Sequence, residues 1–366
     1  MNYVILGIFI SIIVCGIVME RSKPLSYAIM VVMFILTCFS YDSNDYLVYT
    51  MVFMQPDTSP YEPLFNLFLR LGNMAGLDYD GYRNVVTAVC LLLINTTIQR
   101  FSTRPALAWA MFIIFPGWII TTLLRHMMAL SVLIFGLRYL IEDKKGNTVK
   151  LLITVVVAAL LHNSFWVFLF LIAAKYVRPL RLFWICAAVV AVTYVFGMTN
   201  FWFKIFQILP VSLGYIEKYM TNSYTNLNGI IYNVLRQCII MFSGYLAVYM
   251  YRRKVGQGVS PDTPQAAFMD KVLAINNASL LILCMLFYTI TANRMNHVIM
   301  LVNVIAWCIA LSQYGRLKVI RLGGKLCIIG ILVLLSVLAC TIESPVLFEM
   351  VMKMHFETNE IINLFN

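Results

Sequence analysis

Charge is scarce in this sequence. Asp, Glu, Lys and Arg make up 12% of the 366 residues, against 61% hydrophobic. A water-soluble domain carries about twice that charge, so a soluble enzyme or binding module is excluded, and a mean hydropathy of +0.85 describes a polytopic membrane protein. Histidine is scarcer still, with four in the chain. No HExxH, P-loop or GxSxG pattern occurs, which leaves metalloprotease, ATPase and α/β-hydrolase chemistry without support. The nine cysteines lack CxxC spacing and fall within or at the ends of apolar runs, so they read as packing residues and no metal is expected. There is no repeat at a fixed period. Residues 41–69 contain no Lys or Arg, while holding Asp42, Asp45, Asp57 and Glu62.

What is present is a series of apolar runs. At ~20 residues per span, the chain is expected to fold as one all-α transmembrane domain over 1–366, with roughly 11–12 membrane helices and two long external loops. The net charge of +11 and pI of 9.2 would suggest nucleic acid in a soluble chain. Here the basic residues sit in short loops between apolar runs, the positive-inside pattern, and no nucleic-acid partner is expected. The run Asn2 to Met19 has neither a basic region before it nor a small-residue cleavage pattern after it, and reads as a retained first helix.

Taken in order, run 3–19 turns at Glu20-Arg21-Ser22-Lys23-Pro24, and run 25–40 leads to the acidic loop 41–83. Within that loop, 61–70 is apolar at helical spacing beside Pro63 and suits a short helix lying at the interface. Run 84–98 returns to Arg100 and Arg104. Run 106–123, broken at Pro116-Gly117, goes out again, and run 126–141 comes back to Arg138, Lys144, Lys145 and Lys150. A single span over 151–174 would put Lys175, Arg178 and Arg181 outside; a hairpin of two short helices turning at His162-Asn163-Ser164 keeps them inside and brings His162 near Arg125. Run 182–197 leads to a second external loop, 198–228, rich in aromatic and amide residues. Run 229–251 carries Arg236 inward to Arg252-Arg253-Lys254, with a polar loop to Lys271. Runs 272–291 and 296–313 form a hairpin, and 326–342 exits to an acidic tail. In this topology 19 of the 27 Lys and Arg are inside, and eleven of the sixteen acids are outside.

Three clusters then meet on the outer face: Asp45 with Glu62, Arg125 and His126 with His162, and Arg236 with Arg294 and His297. Each has a plain explanation of its own. Arg125 is also placed to snorkel from a helix end, a histidine in an apolar helix is usually a hydrogen-bonded packing residue, and the acids suit a solvated loop. Arg236 resists such an explanation, since ~10 Å of helix separates it from the interface. Several arginines on the side that normally excludes positive charge call for an anion, and guanidinium forks bind pyrophosphate oxygens bidentately.

At these residues the sequence resembles the EpsG family of bacterial polysaccharide polymerases, relatives of the Wzy O-antigen polymerases. The resemblance rests on Asp45-Tyr46, Tyr49 and Tyr61-Glu62-Pro63-Leu64, on Arg125 to Ala129 opening a helix, and on Ala158 to Ser164 after a basic turn; Arg294 is a looser match. It is strongest over 41–170 and departs from the family at Leu161, where an aromatic is usual. It implies a multi-pass glycosyltransferase of the bacterial cytoplasmic membrane that needs no cofactor. Donor and acceptor are polyprenyl-pyrophosphate-linked oligosaccharides, and a chain-length regulator is a further expected partner alongside membrane lipids. Charge chemistry then makes His162, or else the carboxylates Asp45 and Glu62, the candidate catalytic residues, and Arg125, Arg236, Arg294, His126 and His297 the candidates for binding the pyrophosphate; the family pattern itself assigns nothing to His126. A glycan ligase, a sugar O-acyltransferase and a lipid-linked oligosaccharide flippase stay open as alternatives.

Overall fold

A computed structural model describes residues 3–40, 44–142, 144–195, 227–255, 263–286, 290–314, 317–343, 347–356 and 359. Among these residues the chain is helical, without a strand. The elements are α1 (Tyr3–Val18), α2 (Lys23–Cys38), α3 (Asn44–Met54), α4 (Pro63–Met74), α5 (Tyr79–Phe101), α6 (Pro105–Ile120), α7 (Leu124–Ile141), α8 (Asn147–Leu161), α9 (Asn163–Tyr176), α10 (Pro179–Val195), α11 (Leu227–Val255), α12 (Pro264–Leu286), α13 (Asn296–Ser312), α14 (Lys318–Leu338) and α15 (Leu347–Phe356). Among the described residues six segments, in α5, α7, α11, α12, α13 and α14, are long and apolar enough to cross a membrane. Shorter apolar helices occupy the other runs read as spans, and the chain is a multi-pass all-α membrane protein. The second external loop expected at 198–228 lies almost wholly outside the described residues.

Local sequence sets the boundaries. Ser22 caps α2 by accepting from Leu25 N, with Pro24 in the first turn. Asp78 caps α5 through Gly81 N at 2.8 Å. Thr263 caps α12 through Ala266 N at 3.1 Å, so this helix begins at Pro264 and not near residue 272 as the polar composition suggested. Between α7 and α8 the turn passes through Gly146 at φ 82°, a left-handed position that suits glycine. The interfacial helix expected at 61–70 runs from Pro63 to Met74 and buries Phe65, Leu69 and Gly72 while exposing Leu67, Leu71 and Met74.

The centre of the bundle is α13, whose most apolar window is 94% buried, against 28% for α14 at the rim. It packs on α6, α7, α11, α12 and α14. Amides tie this interior together: Asn276 of α12 donates to Asn303 of α13 at 2.7 Å, and Asn303 Nδ2 donates to the Ile240 carbonyl of α11 at 2.8 Å. Such bonds join helices where apolar packing gains little from the surrounding lipid.

The basic turns gather at one end. Glu20 forms ion pairs with Arg104 and, at 2.6 Å, with Lys325. Arg100 pairs with Glu142. Lys175 Nζ donates to the Tyr139 carbonyl at 3.4 Å, Lys271 Nζ to the Lys175 carbonyl at 3.0 Å, and Tyr314 OH to the Met250 carbonyl at 2.9 Å. Tyr176 at the end of α9 also bonds Thr148 at the start of α8. The chain therefore folds back within 147–176, and the hairpin turns at His162, whose φ −154° and ψ 110° end α8.

At the opposite end, the break expected at Pro116-Gly117 is present, and the C-terminal tail departs from expectation. Phe115 (φ −162°, ψ 129°) interrupts α6, because the residue before Pro116 is held out of the α region. The C-terminal tail, expected as an acidic exit, contains α15. His355 anchors it: Nδ1 lies 3.2 Å from Ser40 Oγ and Nε2 2.8 Å from Thr121 Oγ1.

Candidate functional site

The site lies at the end away from the basic turns, where three backbone interruptions converge: Phe115 in α6, His162 between α8 and α9, and the 3-10 turn Ile290–Met295 before α13. Fifteen residues make α8 only ~22 Å long, short of the ~30 Å hydrocarbon core, so its break falls below the surface. Irregular backbone at that depth persists only where protein or a water-filled cavity satisfies it.

Glu62 meets that need. Its Oε1 accepts from the Asn163 amide at 3.0 Å, the first N–H past the break, and its Oε2 accepts from Arg125 Nη1 at 2.6 Å. Arg125 Nε donates to Tyr49 OH at 2.8 Å, and the guanidinium lies 4.0 Å from the Tyr61 ring centre. Arg125 is 7% exposed and Glu62 5%, so Arg125 is held inside the protein and does not snorkel. The residue before a helix normally bonds the helix's own amides; Glu62 precedes α4 without doing so, because both its oxygens are taken elsewhere.

The next residue starts a row of rings. His126 lies edge-on to His162, with centroids 5.8 Å apart, and to His297 at 5.2 Å. Phe115 packs on His297 at 5.5 Å and Phe165 on His126 at 5.4 Å. Arg236 of α11 is 1% exposed, and its guanidinium lies 5.9 Å from the Phe115 ring. Both ring nitrogens of His126, Nδ1 of His162 and His297, and both amide atoms of Asn296 are buried without a hydrogen bond among the described residues. Unsatisfied polar atoms at this density mark a place where water or a ligand is received.

Asp45, on α3 beside the spans, closes the group. Burial pushes its carboxyl above the ordinary carboxylate range, against the pull of the nearby Arg294 and Arg125 charges. The expected residues Asp45, Glu62, Arg125, His126, His162, Arg236, Arg294 and His297 thus belong to one neighbourhood. Within it three guanidinium groups outnumber two carboxyl groups, an arrangement suited to receiving an anion. Sequence reasoning assigned no role to the Tyr49 and Tyr61 cage, to Phe115 or to Asn296. Tyr49 and Tyr61 stood in the quoted motifs; Phe115 was marked only by the proline after it, and Asn296 by nothing beyond lying in the turn.

Bundle and site define a multi-pass membrane protein with an arginine- and histidine-rich cluster built at helix breaks on one end. The chain belongs to the EpsG family, whose family model matches residues 3–351, well beyond the 41–170 over which the resemblance was strongest. It is a membrane protein of polysaccharide biosynthesis. No curated protein and no solved structure matches it.

Proposed function

We infer that the protein is a polysaccharide polymerase that joins polyprenyl-pyrophosphate-linked oligosaccharide repeat units on the outer face of the bacterial cytoplasmic membrane. The observation that carries this is the gathering of Arg125 and Arg294 around His162 and Asp45, with Arg236 beside the adjoining His297, at the end opposite the basic turns. By the positive-inside rule that end faces outward. An acyltransferase taking its acyl donor from the cytoplasm would keep its key residues at the other end.

In the proposed reaction the bond between the donor sugar's C1 and the pyrophosphate oxygen breaks, and a bond forms from C1 to an acceptor hydroxyl oxygen. The acceptor proton passes to His162 or to Asp45, and polyprenyl pyrophosphate departs with the bonding electrons. The guanidinium groups stabilise the charge gathering on the leaving pyrophosphate. An imidazole suits proton removal near neutrality, and burial raises the Asp45 carboxyl above its ordinary value, which makes it a stronger base than an exposed carboxylate. Glu62 has a different part. With both oxygens engaged, it positions Arg125 and the His162 turn against each other.

The test is substitution of arginine by lysine. Arg125→Lys keeps the charge and loses the fork, and should reduce the polymerisation rate by about a hundredfold or more, with Arg236→Lys and Arg294→Lys also impaired. Near-normal activity of Arg125→Lys would remove bidentate pyrophosphate recognition from the account.

A further inference from the structure

At the basic end, remote from the site above, a groove of about 460 Å³ opens between α11, α13 and α14. Its walls are apolar, with Leu246, Met250, Trp307 and Ile320 among them, and Arg253 and Lys254 stand at its mouth. From Lys254 back to Leu246 is eight residues, so the groove follows α11 for about 12 Å from the cations toward the bilayer centre. That is the shape of a site for one chain under one headgroup.

Two adjacent glycines on α14 build it. A Cβ on Gly324 would meet Leu311 at 2.7 Å and Met250 at 3.2 Å, so the missing side chain lets α14 come close to its neighbours there. A Cβ on Gly323 would meet nothing within 4 Å, so this glycine leaves a notch that the protein does not fill. Tyr314 lines the groove with its hydroxyl turned to the Met250 carbonyl at 2.9 Å, and the Lys254 ammonium lies 5.6 Å from its ring. Arg253 is exposed and makes no ion pair among the described residues.

We propose that this groove binds one anionic phospholipid of the leaflet at the basic end, an acyl chain lying along Leu246 and Ile320 and the phosphodiester between Arg253 and Lys254. The charge of the mouth decides between lipids: a zwitterionic headgroup brings a cation of its own against the two already there. At ~1 kcal/mol for each basic residue near an anionic surface, two favour the anionic lipid by about thirtyfold. The site is independent of the glycan reaction and would hold if that function were otherwise.

Native mass spectrometry of the full chain in mild detergent tests it, with phosphatidylglycerol and phosphatidylcholine of identical acyl chains supplied at equal ratio. The expected result is a single retained phosphatidylglycerol, favoured by about thirtyfold. Arg253→Ala with Lys254→Ala should lower its retention to that of phosphatidylcholine. Gly323→Phe puts a ring at a position where the added Cβ meets nothing within 4 Å, and should abolish retention of both lipids while the far-UV helix signal is unchanged. Equal retention of the two lipids by the unaltered protein, or phosphatidylglycerol retention unaffected by either variant, overturns the proposal. So does a dimer that Gly323→Phe dissociates, since a second copy would then be the occupant.

Discussion

Breaking the Glu62–Arg125 pair should cost far more than an ordinary buried hydrogen bond, and the size of the loss tells what the pair is. Glu62→Gln keeps the side chain's shape and an oxygen for the Asn163 amide, but leaves a 7%-exposed guanidinium without its counter-charge. Removing one partner of a buried ion pair costs about 3–5 kcal/mol, whereas a side-chain hydrogen bond between membrane helices averages ~0.6 kcal/mol. Arg125→Gln should be similarly destabilising, because it strands the Glu62 carboxylate. The double variant carries no buried charge at this point, and its loss should fall well short of the sum of the singles, with a coupling of at least ~2 kcal/mol. Unfolding free energies from SDS titration in mixed micelles measure all four corners. Additivity within about 0.5 kcal/mol would refute a charge clamp at the His162 turn.

Two further outcomes concern the basic end. Burial alone would raise the Glu20 carboxyl, but Lys325 and Arg104 outweigh it and hold the group below its ordinary value of 4.5. Its stabilising contribution is therefore complete above about pH 4.5 and is lost as the pH falls through the lower folded value; unfolding followed from pH 6 to pH 3 should lose that acid slope in Glu20→Gln, and an unchanged slope would show that Glu20 is not responsible. Reporter fusions at Lys145, Lys175 and Arg253 should all read cytoplasmic, and an external signal at any of them would separate turns that the contacts of Lys175, Lys271, Arg100 and Glu142 hold at one end.

Much of the site was legible because lipid makes each charge conspicuous. Arg125, Arg236 and Arg294 stood out as arginines in or beside apolar runs, and the fold-back at His162 followed from basic residues at both ends of a stretch too long to ignore and too short for two full spans. What remained hidden was pairing. Glu62 and Arg125 are 63 positions apart, and nothing in spacing distinguishes a loop carboxylate from one placed inside the bundle beside Tyr49 and Asn163. Pro116 advertised a break, but not that the preceding Phe115 would turn its ring onto His297 and Arg236. The seat of α15 was invisible for the same reason, since Ser40, Thr121 and His355 are ordinary residues until the fold brings them together. Thr263-Pro264 was a readable capping signal, obscured by the polar residues before it.

The central claim is tested most directly by giving the purified protein, in liposomes, nothing but a polyprenyl-pyrophosphate-linked repeat unit. A polymerase converts it to a ladder of longer lipid-linked glycans and releases polyprenyl pyrophosphate, one for each linkage made, without nucleotide sugar. A ligase would require a second acceptor, an acyltransferase would leave chain length unchanged, and a flippase would move the lipid without altering it. Product of a single length, with no polyprenyl pyrophosphate released, would contradict the account.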